Sequence, residues 1–204
     1  MRKFFLILVL LISFHAVRAQ RFNAYISGGA AASQVSGDAL GGFDKAGVAA
    51  AAGVVTAISR KMEIGMEIGY LQKGSRKPSR LDQGDPVQYL LRLNYIEIPV
   101  CVGYAIGRNL KVFAGPSIGI LLNSKEENEN GELLLSLPFK SLDAGITGGA
   151  AYRLSDHWKG VFKGVQSLLP VREFGGAARP FFDGGQYNSV VVLSLGYYFF
   201  ELEK

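Results

Sequence analysis

The feature of this sequence that most constrains its fold is an alternation of large apolar residues with glycine or charged residues. It is clearest between Met62 and Tyr70, where the even positions are Met, Ile or Tyr and the odd positions are only Glu or Gly. A strand places successive side chains on opposite faces, whereas a helix would distribute the glutamates around its circumference. The pattern therefore predicts strands with one apolar face and one small or polar face.

Alternation of this kind recurs along the chain and predicts eight strands. They are expected at about residues 23–35, 45–58, 61–74, 89–106, 110–123, 139–154, 158–171 and 188–200. Each is at least 13 residues long, whereas strands of soluble proteins have about 5 to 6 residues and membrane strands need about 9 to 11 to cross the hydrocarbon. These lengths favour a barrel that spans a membrane.

The connections between the strands alternate in length, which is an independent indication of a membrane barrel. Short turns are expected at 59–60, 107–109 and 155–157, and long connections at 36–44, 75–88, 124–138 and 172–187. Outer-membrane barrels have short turns on the periplasmic side and long loops outside. A chain that starts in the periplasm would therefore place all four long connections outside the cell.

The first residues predict export. Arg2 and Lys3 precede an apolar run from Phe4 to Phe14, and a candidate cleavage site follows Ala19. This is the pattern of a signal peptide, because the apolar run is shorter than the roughly 20 residues that a spanning helix needs. We expect a signal peptide over residues 1–19 and one barrel domain over residues 20–204.

Export also changes the charge of the chain. Cleavage removes three of the 22 Lys and Arg residues, so that 19 face 17 Asp and Glu residues and the net charge falls from +5 to +2. The apparent basicity belongs mostly to the signal peptide, and we expect no nucleic-acid partner.

The small-residue faces fit the inside of a narrow barrel. Glycine makes up 26 of the 204 residues, and an eight-stranded barrel has an interior that side chains only just fill. The rows through Gly115 and Gly145 are therefore expected inside, and the rows through Ile118 and Ile146 against lipid. The facing of the strand at 158–171 stays open, because apolar residues occupy both of its faces.

Ionisable residues occur on rows that are predicted to point inward. They are Glu63, Glu67, Glu97, Lys111, Asp143 and Lys163. Buried charges must be paired or hydrogen-bonded, because an unpaired charge loses its hydration without compensation. We expect an interior charge network that fills the barrel; the alternative is a proton or solute path lined by the same groups.

Aromatic residues concentrate where the strands should leave the hydrocarbon, as in the interfacial girdles of membrane barrels. The predicted girdle consists of Tyr70, Tyr104, Tyr152, Trp158, Tyr197 and Phe199.

The long connections differ in character. The segment from Gln72 to Arg80 is basic and the segment at 125–132 is acidic. The basic segment could contact anionic lipopolysaccharide, the two segments could contact each other, or both could be solvated. The last connection carries Phe174, Phe181 and Phe182, and an apolar segment of this kind could cover the mouth or bind a protein partner.

The sequence offers little for catalysis or for cofactor binding. After cleavage one histidine remains, His157, in a predicted turn, and the single cysteine, Cys101, is on an inward row. One cysteine forms neither a disulfide framework nor a cysteine-based zinc cluster, and hydrolase chemistry needs a base beside a nucleophile. We expect no catalytic residue, no cofactor, no metal site and no enzymatic activity.

Three segments resemble a known family. They are EIGYLQKG from Glu67 to Gly74, NYIEIP from Asn94 to Pro99, and AGPSIG from Ala114 to Gly119. They are similar to the outer-membrane β-barrel proteins of the PorT-like, "porin family" type of Gram-negative bacteria. The resemblance implies an outer-membrane location, lipid and lipopolysaccharide as neighbours, and insertion by the barrel assembly machinery. Pro99 lies inside a predicted strand, which predicts a local bulge.

Together these features predict an all-β fold, an eight-stranded antiparallel up-and-down transmembrane β-barrel with a lumen filled by side chains. The expected function is a non-enzymatic structural or binding role that four extracellular loops serve. One alternative, suggested by the resemblance, is an accessory factor in protein secretion or surface assembly. The other is a soluble periplasmic barrel that carries an apolar ligand, in which the apolar rows would point inward.

Overall fold

The computed structural model describes residues 22–38, 40–79, 87–133, 137–173 and 185–200. The predicted signal peptide at 1–19 and the phenylalanines of the last connection lie outside the described residues. Within those ranges, no helix has the length and apolar character that crossing a membrane requires.

Strands account for most of the described residues. The long strands are β1 (Phe22–Ser36), β2 (Lys45–Ala57), β3 (Met62–Lys77), β4 (Tyr89–Ile106), β5 (Leu110–Asn128), β7 (Leu142–Arg153), β8 (Trp158–Ser167) and β10 (Gly185–Tyr198). Two short strands, β6 (Gly131–Glu132) and β9 (Arg172–Glu173), pair with β5 and β10 respectively.

The long strands close into a ring. Each pairs antiparallel with the next long strand along the chain, and β1 completes the ring by pairing with β10 from Tyr25–Tyr198 to Ser36–Tyr187. A closed ring leaves no long strand with an unpaired edge. The predicted eight-stranded antiparallel up-and-down barrel is therefore confirmed.

The large apolar rows point out of the barrel. Ile64, Met66 and Ile68 of β3 are 37%, 53% and 57% exposed, and Ile118 of β5 is 53% exposed. The intervening positions point inward, and Ser117 is only 3% exposed. This is the facing of a membrane barrel, so the alternative of a soluble carrier with an apolar interior is wrong.

The facing of β8, which the sequence left open, is now resolved. Trp158 and Phe162 point outward with 44% and 56% exposure, whereas Lys159 and Val165 point inward with 4% and 6%. Apolar residues occur on both faces because the inward valines fill the lumen.

The barrel has two different ends. The connections at 58–61, 107–109 and 154–157 are short and share what we call the turn end; the long connections share the opposite loop end. The predicted third loop at 124–138 is shorter than expected. It is shorter because β5 continues to Asn128 and pairs with β4 as far as Tyr89.

The predicted bulge at Pro99 is wrong in position. Pro99 pairs with Ser117 in the same register as Val102 with Ala114, and the register shift lies instead between Asn94 and Tyr95. Proline removes one backbone donor from the ladder but does not require an extra residue.

Candidate functional site: the charged lumen and the loop end

Ion pairs occupy the lumen at successive depths from the turn end. Lys111 contacts Glu63 closest to the turn end, where the two side chains are 36% and 21% exposed. Lys163 contacts Glu67 deeper in the barrel, where both side chains are 13% exposed. Solvent access therefore decreases from the turn end toward the middle of the barrel.

The deepest layer joins four strands around one ammonium group, that of Lys73 on β3. It contacts the carboxylates of Glu97 on β4 and Asp143 on β7, at 2.8 Å from Oδ2 of Asp143. Asn188 on β10 donates a hydrogen bond of 2.9 Å to the same Asp143 oxygen. These four residues are at most 6% exposed. We call them the Lys73 layer.

The structure thus brings the six predicted residues into one lumen, where each carboxylate contacts a lysine. Sequence reasoning missed Lys73, which it assigned to the basic loop from Gln72 to Arg80. That assignment is wrong, because Lys73 is 1% exposed and belongs to β3. Lys73 has an odd residue number, as Glu63 and Glu67 do, and therefore lies on the same inward face of β3. This parity could have identified it from the sequence.

An apolar cluster fills the lumen on the loop-end side of the Lys73 layer. Val35, Leu91, Leu93 and Tyr95 have no exposed surface, and Tyr89, Leu121 and Phe139 pack against them. We call these seven residues the apolar plug. A lumen rich in small residues with a few paired charges is what the sequence predicts; this half is instead filled by large apolar side chains, which exclude water as they pack.

A charged contact covers the apolar plug at the loop end. The guanidinium of Arg172 lies 3.7 Å from the centroid of the Phe139 ring and donates a hydrogen bond to Glu126. Tyr89 also donates a hydrogen bond to Glu126, at 2.6 Å. Arg172 is 6% exposed, so the described part of the loop end holds a stacked and paired arginine over the mouth.

A cavity of ≈ 80 Å³ lies in the other half of the lumen, and we call it the turn-end cavity. Tyr25 donates a hydrogen bond of 2.9 Å to Glu67 and stacks on Tyr198 at 4.8 Å between ring centroids. The ammonium of Lys159 lies 4.1 Å from the centroid of the Tyr198 ring. Cys101 also lines this cavity.

The predicted girdle residues face outward. At the turn end, Tyr104, Tyr152, Trp158 and Phe199 are between 44% and 52% exposed, and Tyr197 contacts the rings of His157, Trp158 and Phe199. Nearer the loop end, Tyr70 donates a hydrogen bond of 2.9 Å to Asn94.

His157 packs at the turn end of the barrel. Its ring stacks on Tyr197, and Nδ1 lies 2.9 Å from the carbonyl oxygen of Tyr198. Among the residues that the structure describes, no group of three or more His, Cys, Asp or Glu side chains is arranged to hold a metal ion.

The first long connection folds back on the strand ends. Gly42 donates a backbone hydrogen bond to Gln34, and Leu40 donates one of 2.9 Å to Asp38. Burial raises the pKa of the Asp38 carboxyl, and the hydrogen bond from Leu40 opposes that effect. Gly42 therefore ties the described part of this connection to β1.

The loop-end surface carries charges of both signs in close pairs. Arg92 and Lys125 both contact Glu127, at 3.2 and 2.6 Å, and Lys140 lies 3.2 Å from Glu173. Among the described residues, these contacts join charges of opposite sign.

Solved structures with the same strand arrangement are outer-membrane barrels. Ail, the attachment invasion locus protein of Yersinia pestis, in complex with the heparin analogue sucrose octasulfate, aligns with a TM-score of 0.52 at 13% identity, over 88% of this chain and 99% of Ail. A second Ail structure aligns with a TM-score of 0.52 at 12% identity, over 87% of this chain and 98% of Ail. Neisserial surface protein A aligns with a TM-score of 0.47 at 10% identity, over 85% and 96% of the two chains.

The two Ail alignments show the fold alone, and no curated protein matches this sequence. The family comparison goes further. Residues 9–172, well over half of the chain, match the family described as outer membrane protein beta-barrel domain. The predicted outer-membrane location is thereby confirmed. The chain belongs to this family of outer-membrane β-barrel proteins.

Proposed function

We propose that this chain is a non-enzymatic outer-membrane barrel whose loop end is its working surface, in a structural or binding role. It would be exported by a signal peptide at residues 1–19 and inserted by the barrel assembly machinery. The turn end would then face the periplasm and the loop end the outside of the cell.

The observation that carries this proposal is the closed lumen. The Lys73 layer and the apolar plug follow each other along the barrel, and both exclude solvent. An ion that crossed them would lose its hydration among buried side chains that admit almost no solvent. A channel role is therefore disfavoured, which leaves the outer surfaces as the parts available for function.

Outer-membrane lipid is the first partner that the surface supports. Arg76 and Arg92 are exposed on the outward faces of β3 and β4, and both lie on the loop-end side of Tyr70. Arginine at this height would meet the phosphates of lipopolysaccharide, which it can bind in bidentate geometry. The described loop end also carries carboxylates, such as that of Glu127 beside Arg92, so we do not extend to it the sulfated ligand of Ail.

A protein is the second kind of partner that the surface supports. Leu133 and Leu137, in the connection after β5, are 37% and 59% exposed, and exposed apolar residues above the membrane favour protein contact. The PorT-like resemblance suggests that this partner belongs to a secretion or surface-assembly system. A photocrosslinker at Leu137 should then recover such a component, whereas one at Ser155 on the turn end should not. Equal recovery from both sites would contradict an accessory role of the loop end.

Conductance in planar bilayers tests the closed lumen. We expect the unmodified protein to give no stable channel steps. Leu93→Gly with Tyr95→Ala removes volume from the apolar plug and should introduce brief openings, whereas Leu137→Ala outside the lumen should not. Stable steps from the unmodified protein would refute the proposal.

A further inference from the structure

Lys159 differs from the other described lysines of the turn-end cavity in lacking a carboxylate partner. Its side chain points into the lumen and the residue is 4% exposed. Among the described residues, the neighbouring carboxylates are already engaged, Glu63 by Lys111 and Glu67 by Lys163 and Tyr25. The contact recorded for the Lys159 ammonium is with the face of the Tyr198 ring.

The ion pairs in and beside the turn-end cavity leave one ammonium group over. Lys159 and Lys163 line the cavity together with Glu63 and Glu67, and Lys111, which lies beside it, contacts Glu63, so three ammonium groups share two carboxylates. A buried ammonium without a counter-charge is unfavourable, and a ring face compensates for only part of its lost hydration. The cavity thus has an excess positive charge at a defined atom.

The size and access of the cavity restrict what could supply the missing negative charge. Its volume is ≈ 80 Å³, whereas pockets for drug-sized ligands measure about 300–1,000 Å³. The partial exposure of Lys111 and Glu63 indicates that solvent enters from the turn end. A small solvated ion can therefore reach Lys159, and a large organic molecule cannot.

We propose that the turn-end cavity binds a small monovalent anion of the halide class against the ammonium of Lys159. Lys111 and Lys163 remain paired with Glu63 and Glu67, and the anion balances the charge of Lys159. The bound anion stabilises the folded barrel, because it binds the native cavity and has no equivalent site in the unfolded chain.

The test is thermal unfolding of the refolded full chain in detergent, monitored by the difference in gel migration between folded and unfolded protein. The unfolding midpoint in chloride is compared with the midpoint in gluconate at the same ionic strength. Gluconate is too large for the cavity. Chloride at about ten times its dissociation constant should raise the midpoint by roughly 3–6 °C, and the effect should saturate. Lys159→Met should abolish the difference, whereas Lys140→Met, which removes an exposed lysine at the loop end, should keep it.

Two further measurements keep the proposal testable if Lys159→Met does not fold. Glu63→Gln adds a second unmatched positive charge, so half-saturation should occur at a lower chloride concentration. Crystals of the unmodified protein grown in bromide should show anomalous density beside Nζ of Lys159. Equal midpoints in chloride and gluconate, or a chloride effect that survives in Lys159→Met, would overturn the proposal.

Discussion

The Nζ atom of Lys73 lies 2.8 Å from Oδ2 of Asp143, although 70 residues separate the two in the sequence. The same ammonium contacts Glu97. One side chain of β3 therefore links β4 and β7 through the interior of the barrel, which the backbone ladder alone does not do. This contact makes the closure of the lumen and the stability of the barrel depend on the same residue.

Replacing Lys73 with methionine should destabilise the barrel strongly. The change leaves two buried carboxylates without their cation, and breaking a buried ion pair by removing one partner costs about 3–5 kcal/mol. Urea unfolding from lipid vesicles, followed by heat-modifiable migration, measures the loss.

Lys125→Met is the matched control for this prediction. Lys125 pairs with Glu127 at the loop end with 41% of its side chain exposed, and an ion pair that solvent screens contributes little to stability. The double variant Lys73→Met with Asp143→Asn should lose less than the sum of its single variants, because the second change removes one orphaned charge. Equal losses for Lys73→Met and Lys125→Met would show that the Lys73 layer does not hold the strands together.

Two adjacent glycines of β1 should respond oppositely to alanine. A Cβ atom at Gly29 would lie 2.1 Å from the carbonyl oxygen of Leu193 on β10, whereas nothing lies within 4 Å of one at Gly28. Gly29→Ala should therefore disturb the β1–β10 seam and reduce the yield of folded protein. Gly28→Ala should leave stability unchanged or raise it by about 0.4–1 kcal/mol, because alanine restricts the unfolded chain. A tolerated Gly29→Ala would mean that the seam is looser than the register indicates.

Arginine should be far more costly on the outward face of the strands than at the loop end. Ile118 points outward from the middle of β5 and is 53% exposed, and arginine at the midplane of a membrane barrel costs about 2–4 kcal/mol. Leu137 has a similar exposure of 59% but lies in the connection after β5, where a substitution is usually worth within about 0.5 kcal/mol. Comparing urea midpoints of Ile118→Arg and Leu137→Arg in vesicles checks this, and equal shifts would place Ile118 outside the hydrocarbon.

The strands could be predicted because apolar residues at every second position show which face of a strand meets lipid. β3 and β5 show this best, since Ile68 and Ile118 alternate with glycine, serine or charge. The ends of strands were harder to predict. Above the hydrocarbon, β5 continues with polar residues such as Lys125, and backbone pairing there does not require an apolar face.

The interior was only partly predictable, because a row gives the direction of a side chain but not its partner. The sequence places Glu97 inside, but its cation Lys73 lies in a basic stretch that charge alone assigns to a loop. Because Val161 and Val165 are apolar residues on the inward face, the sequence does not show which face of β8 points inward. The inward direction of Lys159 could therefore not be predicted either. Tyr95 and its neighbours in the apolar plug were unexpected, since the pattern does not show which inward positions lie beyond the reach of water.

Cys101 allows a direct test of the closed lumen, because it is the one cysteine of the sequence and lines the turn-end cavity. The measurement is labelling in sealed vesicles by a small, membrane-impermeant thiol reagent added outside. Two controls in a Cys101→Ser background report orientation: Ser155→Cys for the turn end and Leu137→Cys for the loop end. The labelled fraction of Cys101 should not exceed that of the Ser155→Cys control, because the closed lumen admits reagent from the turn end alone. A fraction that follows the Leu137→Cys control, or complete labelling in both orientations, would show that the loop end is open and would contradict the account.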